Sequence, residues 1–197
     1  MYELLTSVKA NQASFAIRNK GDFRMVLDCF MAMNDLDLSD AEKLYTALII
    51  FYEDFNDIED IPQDTETLEA LQKGMVDFFN GGEDNNLSKS NTNDYTVIDW
   101  KKDSNLICSA INNVAKQEIR ALDYLHWWTF LSYYSAIGEC PLATIISIRY
   151  KIARNEKLEK HEKKFRADNP EYFNIDLRSK EQKAADDYIG KLWNGGN

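Results

Sequence analysis

Apolar residues recur along most of this chain at the spacing of an amphipathic helix. One stripe after Gly21 recurs at intervals of three and four residues and comprises Phe23, Val26, Leu27, Phe30 and Met33. Such intervals place the side chains on one face of a helix, and Asp22 directly before them is a residue type that caps helix N-termini. Residues 14–18 before Gly21 are predicted to form either a short strand or an extended arm.

Two further helices are predicted in the first half of the chain. Ser39 and Glu42 have the spacing of a capping box, in which each side chain accepts a hydrogen bond from the other residue's backbone N–H. The helix that they open has an apolar face formed by Leu44, Leu48, Phe51 and Phe55. The next helix is predicted from near Asp64 to Gly81 and Gly82, because glycine suits the left-handed backbone that ends many helices.

The second half of the chain contains three more helix starts. Asp103 is predicted to cap one helix, Asp123 to cap the next, and Pro141 to occupy the first turn of a third. The helix after Asp123 is apolar almost all round, which is typical of a helix in the core or of one shared between core and partner surface. The apolar side of the helix after Pro141 is formed by Leu142, Ile145, Ile146, Arg149 and Ile152.

The C-terminal part of the chain is more charged than the rest. Residues 155–168 are anchored only by Leu158 and Phe165, and Asn169–Pro170 ends this segment. A second capping box, Ser179 and Gln182, predicts a last helix that carries Ala185, Tyr188, Ile189, Leu192 and Trp193.

Together these elements predict an all-α protein of about six to eight helices with a minor extended N-terminal arm. Residues 81–94 contain a single apolar residue, Leu87, and have the composition of a flexible loop or linker. We expect an acidic helical subdomain over residues 1–80 and an aromatic-rich, basic helical subdomain over residues 95–197. These two parts form either separate subdomains or one packed domain.

Composition narrows the possible classes of protein. The 197 residues are 44% hydrophobic and 12% aromatic, which excludes a disordered chain despite a net charge of −10. Only eight glycines and three prolines argue against a β-sandwich. The negative charge argues against nucleic-acid binding, and no apolar run is long enough to predict a membrane span. With no signal peptide in the sequence, we expect a soluble protein of a reducing compartment.

Charge is segregated along the chain. Residues 39–84 contain 13 acidic and two basic residues, whereas residues 149–183 contain 11 basic and seven acidic residues. One interpretation is two solvated helix faces. The other is pairing between the opposite patches of neighbouring molecules, which would build rings or open filaments.

The sequence offers little for catalysis or cofactor binding. His126 lies beside two tryptophans and is expected to be a buried structural residue, whereas His161 is expected to be solvated. Three dispersed cysteines are expected to be reduced thiols. Residues 35–39 begin like a calcium loop but lack its glycine and its bidentate glutamate, so they are predicted to connect two helices. We therefore predict no catalytic residue, no metal and no cofactor.

Aromatic residues crowd the helix predicted after Asp123. Four of them are Trp127, Trp128, Tyr133 and Tyr134. Successive residues step about 100° around a helix, so these side chains cannot all face one core. They are interpreted either as core residues or as part of a groove for a partner helix, since tryptophan and tyrosine dominate binding hot spots.

Three segments resemble the bacteriophage gp-fifteen family, whose genes lie in the tail region of tailed phages of Gram-positive bacteria. Gly21–Arg24 followed by Leu38–Lys43 resembles the "DFR … LSDxEK" opening of that family. Leu125–Leu131 resembles its "LHWWxF" block, and Ile145–Lys151 resembles its "IIxIRxK" segment. The resemblance covers most of residues 22–173.

This resemblance implies a tail assembly chaperone that binds the tape-measure protein and keeps it soluble while the tail tube forms. It implies a protein that is not an enzyme, acts in the host cytoplasm and is absent from the mature virion. We hypothesise that the partner-binding residues are Trp127, Trp128, Phe130, Tyr134 and Arg149. In this hypothesis the basic segment, residues 149–183, contacts the acidic segment, residues 39–84, of a neighbouring copy.

Two other functions are also compatible with the sequence. One is a structural virion component such as a head–tail or tail adaptor. The other is a small acidic phage protein that interacts with a host factor.

Overall fold

The residues that the structure describes form helices and one small hairpin. A computed structural model describes residues 3–35, 37–82 and 97–176. The strands are β1 (Ser7–Ala10) and β2 (Ala13–Ala16). The helices are α1 (Phe23–Met33), α2 (Asp40–Phe51), α3 (Thr65–Phe79), α4 (Ser104–Ala115), α5 (Trp127–Ser135), α6 (Pro141–Ala153) and α7 (Lys160–Asp168). The predicted mainly helical fold with an extended N-terminal arm is confirmed. Over these same residues, no helix combines the length and the apolar character that a membrane span requires.

The chain divides into two compact units. Unit 1 comprises residues 1–88 and 111–136, and unit 2 comprises residues 89–110 and 137–197. Residues 111–136 belong to the expected C-terminal subdomain of residues 95–197, but they pack with the N-terminal helices, as the alternative of joint packing allows. Most of the expected linker, residues 83–94, and the helix predicted after Ser179 lie outside the described residues.

The predicted caps form the starts of the first three helices. Asp22 Oδ1 accepts a hydrogen bond from the backbone N–H of Arg24 at 3.0 Å. At α2 the capping box is complete, with Ser39 N–H donating to the Glu42 carboxylate at 2.8 Å and Glu42 N–H donating to Ser39 Oγ at 3.3 Å. Asp64 starts α3 by accepting from a backbone N–H of its first turn. These local signals are confirmed as helix starts.

The hairpin packs on α3 through a close approach to a helix backbone. Val8 of β1 pairs with Phe15 of β2, and Val8 is buried. A Cβ atom at position 74 would lie 2.2 Å from Val8 Cγ1, far inside van der Waals contact. Gly74 in the middle of α3 is therefore the residue that lets β1 lie against the helix.

The structure differs from the prediction at the end of α2. Phe55 was expected on the apolar face of this helix, but α2 ends at Phe51 and Phe55 is buried in the segment that follows. Tyr52 is extended because it forms a β-bridge with Ile17. The Arg18 Nη2 atom then donates to the backbone carbonyls of Ile49, Tyr52 and Phe55, which satisfies acceptors at the C-terminus of the helix.

The start of α5 is also different from the prediction. Asp123 does not cap this helix; α5 begins at Trp127 and His126 is its N-cap. Leu125 cannot join a helix because its backbone pairs with residues 22 and 23. Its N–H donates to Asp22 Oδ2 at 2.9 Å, and its carbonyl accepts from Phe23 N–H at 2.9 Å.

Unit 2 contains the first part of α4, together with α6 and α7. Pro141 occupies the first turn of α6 as predicted, and the preceding Cys140 caps the helix through its sulfur. Helix α7 ends at Asp168, before the predicted break at Asn169–Pro170. The buried apolar side chains of the unit are Val97, Ile107, Ala110, Leu142, Ile145, Ile148 and Leu158.

Candidate functional site at the start of α5

The aromatic residues at the start of α5 form the centre of unit 1. Trp127 and Phe130 are each 1% exposed. The ring of Phe130 stacks on Trp127 with centroids 5.2 Å apart and on Phe23 of α1 with centroids 4.9 Å apart. Two of the hypothesised partner-binding residues are therefore core residues that join α1 to α5.

Both tryptophans bind the C-terminal end of α3. The indole N–H of Trp127 donates to the Phe79 carbonyl, and that of Trp128 donates to the Phe78 carbonyl, both at 2.9 Å. Carbonyls in the last turn of a helix lack partners within the helix, and the Trp127 indole supplies a donor to the Phe79 carbonyl. The Phe78 carbonyl accepts from the backbone N–H of Gly81 as well as from the Trp128 indole. Gly82, with φ of +76°, passes directly under the Trp128 ring, where a Cβ atom would lie 3.0 Å from ring carbons.

His126 fixes the first turn of α5 and the chain before β1. Its Nδ1 accepts from the backbone N–H of Trp128 at 3.0 Å, so the neutral ring carries its proton on Nε2. The Nε2–H then donates to the Leu5 carbonyl at 3.0 Å. The side chain is 1% exposed, and burial lowers the pKa of His126. The expected structural role of this histidine is confirmed.

An ion pair connects the start of α1 with the loop before α5. Arg24 donates from Nη1 to both carboxylate oxygens of Asp22 at 3.1 Å. Its Nη2 donates to the Leu122 carbonyl at 2.6 Å. Asp22 therefore caps α1, pairs with Arg24 and accepts from Leu125, which joins parts of the chain that are about 100 residues apart.

The remaining aromatic candidates lie nearer the surface. Trp128 and Tyr134 are both half-buried. Met31, one residue after Phe30, is 45% exposed, and the Phe30 ring contacts Trp127 edge-on at 5.8 Å. Trp128, Tyr134 and Met31 therefore keep part of their surface exposed, whereas Trp127 and Phe130 do not.

Unit 1 also contains an open cleft of about 820 Å³ beside α1 and α2. Its lining includes apolar side chains of Met25, Ile49 and Ile50. Two arginines at the cleft, Arg18 and Arg24, already bind backbone carbonyls of unit 1. These guanidinium groups therefore serve the fold.

Arg149 has a different environment from the one expected of a partner-binding residue. It belongs to unit 2, is 0% exposed and forms an ion pair with Asp103, whose side chain is 1% exposed. Its guanidinium also donates to the carbonyls of Val97 and Tyr172. Arg149 thus holds together the chain before α4, helix α6 and the turn after α7, and presents no surface to a partner.

Sequence reasoning missed this buried pair although a signal was present. Arg149 occurs on the apolar stripe of α6 that includes Ile145 and Ile152, and a charged residue on such a stripe calls for a buried counterion. Asp103 stands immediately before α4, where its residue type was interpreted as a helix cap. Position alone could not show that the two residues meet.

The described residues contain no group of three or more His, Cys, Asp or Glu side chains that could hold a metal ion. The three cysteines are free thiols, with Cys29 buried and Cys108 and Cys140 half-buried. His161 lies exposed on α7. Among the described residues, backbone carbonyls near the start of α5 accept hydrogen bonds from the side chains of His126, Trp127 and Trp128. These hydrogen bonds support the packing of the helix.

Comparison with known proteins identifies a family that this chain matches. The model of the family described as Bacteriophage Gp15 protein matches residues 1–173. Searches of curated proteins and of solved structures gave no significant match. The matched range includes every described element from β1 to α7 and contains the motif at the start of α5. The chain therefore belongs to the Bacteriophage Gp15 protein family.

Proposed function

We propose that this protein is a tail assembly chaperone that binds the tape-measure protein of its phage and keeps it soluble while the tail tube forms. The observation that carries the proposal is the family match over residues 1–173, since the family suggests a phage structural or tail-region protein. The protein would act by binding, without catalysis, in the cytoplasm of the host cell.

The structure supports a client surface along α5. Trp128 and Tyr134 are half-buried on a helix that is fixed at its first turn by His126. Rigid aromatic side chains with part of their surface exposed are typical binding hot spots, because little conformational entropy is lost when they bind. Met31 of α1, a helix that packs on α5, is 45% exposed and adds a flexible apolar side chain, which suits a client helix of varied sequence.

Burial divides the five hypothesised partner-binding residues into two groups. Trp127, Phe130 and Arg149 are buried and would support the surface or the fold. Direct contact with the client would fall to Trp128 and Tyr134. We therefore propose that an apolar face of a client helix contacts these two residues together with Met31.

Co-expression with the tape-measure protein of the same phage tests the proposal. The wild-type chain should raise the soluble fraction of the tape-measure protein and co-elute with it. The double variant Met31→Ala, Tyr134→Ala should lower the amount of complex about tenfold, because hot-spot truncations commonly cost more than 1 kcal/mol of binding free energy.

Leu4→Ala is the matched control, because Leu4 is also an exposed apolar residue of unit 1 at 46% exposure. This variant should form the complex as the wild type does. An insoluble tape-measure protein in the presence of the wild-type chain, with no complex on gel filtration, would overturn the chaperone proposal.

Purified virions distinguish the chaperone from a structural component. A chaperone that leaves before the tail is complete should be undetectable by mass spectrometry of mature particles. A ring-like copy number in the virion would instead favour a head–tail or tail adaptor.

A further inference from the structure

The outer edge of β1 carries backbone groups that point away from the hairpin. The Ile17 N–H donates to the Thr6 carbonyl at 2.9 Å, which extends the pairing of β1 with β2 by one residue. Hydrogen-bonded positions alternate along an antiparallel pair, so the N–H and carbonyl groups of Ser7 and Lys9 point away from β2. We call these four backbone groups the β1 edge.

The outer edge of β2 is covered at one end by the chain itself. The Ala16 N–H donates to Asp54 Oδ2 at 2.7 Å, and the Ala16 carbonyl accepts from the Glu53 N–H at 2.9 Å. Only Ser14 remains uncovered on that strand. The β1 edge, by contrast, has two successive outward positions that form no hydrogen bond with any residue that the structure describes.

The β1 edge is fixed at both ends and from below. At one end the Leu5 carbonyl accepts from the His126 Nε2–H at 3.0 Å. At the other end Asn11 Nδ2 donates to Thr67 Oγ1 of α3 at 2.6 Å. Between these bonds Val8 is buried against α3. A strand that is already fixed loses little conformational entropy on binding, so its unpaired groups form a preorganised template for another strand.

Helix α3 prevents the β1 edges of two copies from pairing with each other. Val8 of β1 lies against the α3 backbone at Gly74, so the helix runs directly beneath this strand. A twofold axis between antiparallel strands would place both copies of α3 on one face of the joint sheet, about 4.8 Å apart. Packed helices need about 8–10 Å between their axes. The β1 edge therefore fits a single extended segment with no helix beneath it.

The side chain of Lys9 determines which charge that segment should carry. Val8 and Ala10 face α3, so the alternation of side chains places Lys9 on the opposite, exposed face. Among the described residues no carboxylate forms an ion pair with it. Residues directly opposite each other in a sheet have Cβ atoms about 4.5–5.5 Å apart, where opposite charges stabilise the pairing. The net charge of −10 has little effect at this range, since physiological salt screens charges more than about 8 Å apart.

We propose that the β1 edge binds an extended segment of a partner protein, which adds a third strand to the hairpin and places an acidic side chain opposite Lys9. Ser7 and Lys9 would each exchange two backbone hydrogen bonds with an antiparallel segment. The backbone bonds would supply the affinity and the acidic side chain the selectivity. The inference does not rest on the proposed function, because it concerns β1 and not the exposed residues of α5.

Amide hydrogen exchange measured by NMR tests the state of the edge. In the isolated protein the N–H groups of Ser7 and Lys9 should exchange at least about tenfold faster than those of Val8 and Ala10, which are bonded to β2. The probe is the synthetic peptide acetyl-Ser-Thr-Val-Glu-Val-Thr-Ser-amide. Its addition should slow exchange at Ser7 and Lys9. N-methylation of its Glu nitrogen, which faces the edge, should abolish this effect.

Two proline variants separate the edge from the stability of the hairpin. Lys9→Pro removes an outward N–H without removing a bond to β2, so the hairpin should stay folded while the affinity for the peptide falls at least about tenfold. Ser14→Pro is the matched control, because it removes an outward N–H from β2 and should leave the affinity unchanged. Circular dichroism should show that both variants are folded.

A charge exchange tests the role of the Lys9 side chain without altering the backbone. Lys9→Glu should weaken binding of the peptide and strengthen binding of a second peptide that has Lys in place of Glu. The wild-type chain should show the reverse preference.

Four results would overturn the inference. In the isolated protein, exchange at Ser7 and Lys9 as slow as at Val8 would show that the edge is already covered, and a dependence on protein concentration would then identify a second copy. No change in exchange at millimolar peptide would exclude strand addition. Equal affinity of Lys9→Pro and Ser14→Pro would place the contact elsewhere. Equal binding of the two peptides by the wild-type chain would remove the acidic selectivity.

Discussion

The imidazole of His126 caps α5 by accepting a hydrogen bond at Nδ1 from the backbone N–H of Trp128, 3.0 Å away. This bond requires a neutral ring, because a protonated imidazole has a hydrogen on both nitrogens and has no acceptor. The motif at the start of α5 thus couples helix capping to the protonation state of one residue.

The stability of unit 1 should therefore fall in acid. Burial lowers the pKa of His126 below its ordinary value of about 6.5. Above about pH 6.5, His126 is neutral in both the folded and the unfolded state, and its contribution to the free energy of unfolding is fully present. As the pH falls below about 6.5 the unfolded state takes up a proton first, so the free energy of unfolding decreases until the folded-state pKa is reached.

Urea unfolding between pH 8 and pH 5 measures this dependence. His126→Asn keeps a capping oxygen without a titratable group, so it should flatten the pH dependence. His161→Asn, at an exposed position on α7, should leave it unchanged. An identical slope in the wild type and in His126→Asn would contradict the assignment.

Loss of the buried arginine should strongly destabilise unit 2. Arg149→Met leaves the Asp103 carboxylate buried without its cation, and removal of one partner of such a pair costs about 3–5 kcal/mol. Adding Asp103→Asn removes the stranded charge and should recover part of that loss. The free energy of unfolding of both single variants and the double variant gives the coupling.

Arg154→Met is the control for this pair. Arg154 is an exposed arginine whose ion pair with Glu156 is long, at 3.9 Å, so the variant should change stability by less than about 1 kcal/mol. If Arg149→Met and Arg154→Met lowered the free energy of unfolding equally, the buried pair would have no special role in stability.

Replacing Gly74 should destabilise unit 1 although alanine is the better helix former. Gly74→Ala places a Cβ atom against Val8 and should lower the free energy of unfolding by about 1–3 kcal/mol through overpacking. In a Val8→Ala background the same change should be nearly neutral. Gly138→Ala, where nothing lies within 4 Å, serves as the control in thermal melts.

The three cysteines should differ in reactivity. Burial and the neighbouring Asp28 carboxylate raise the pKa of the Cys29 thiol to about 12, and its side chain is 0% exposed. A thiol reagent at neutral pH should therefore label Cys108 and Cys140 in the folded protein and Cys29 only after unfolding. Mass spectrometry of the labelled peptides measures the extent of labelling at each cysteine. Rapid labelling of Cys29 in the native state would contradict its burial.

Sequence patterns predicted those parts of the fold that local chemistry decides. Asp22, the Ser39–Glu42 capping box and Pro141 all mark real helix starts, because a cap acts within its own first turn. Asp123 marks no helix start. The chain around Leu125 is instead held extended by residues about 100 positions earlier, and no local pattern contains that information.

The candidate site could be predicted only in part for the same reason. The sequence shows that α5 is rich in aromatic residues. It also shows that His126 is far from the other histidine, His161. The division between buried Trp127 and half-buried Trp128 depends on where the end of α3 lies. The burial of Arg149 depends on Asp103, which lies 46 residues away in the sequence. The sequence alone therefore leads to the expectation of a surface role, whereas the residue is buried.

The division of unit 1 into two stretches of sequence has a consequence for synthesis. Residues 111–136, which cover the aromatic faces of α1 and α3, leave the ribosome after the first stretch, residues 1–88. At about 5–20 residues per second, the interval between residues 88 and 136 lasts roughly 2–10 s. During those seconds Phe23 lacks the Phe130 ring and Phe78 lacks the Trp128 ring that pack on them in the folded protein. Translation speed through this interval therefore sets how long the protein is open to misfolding.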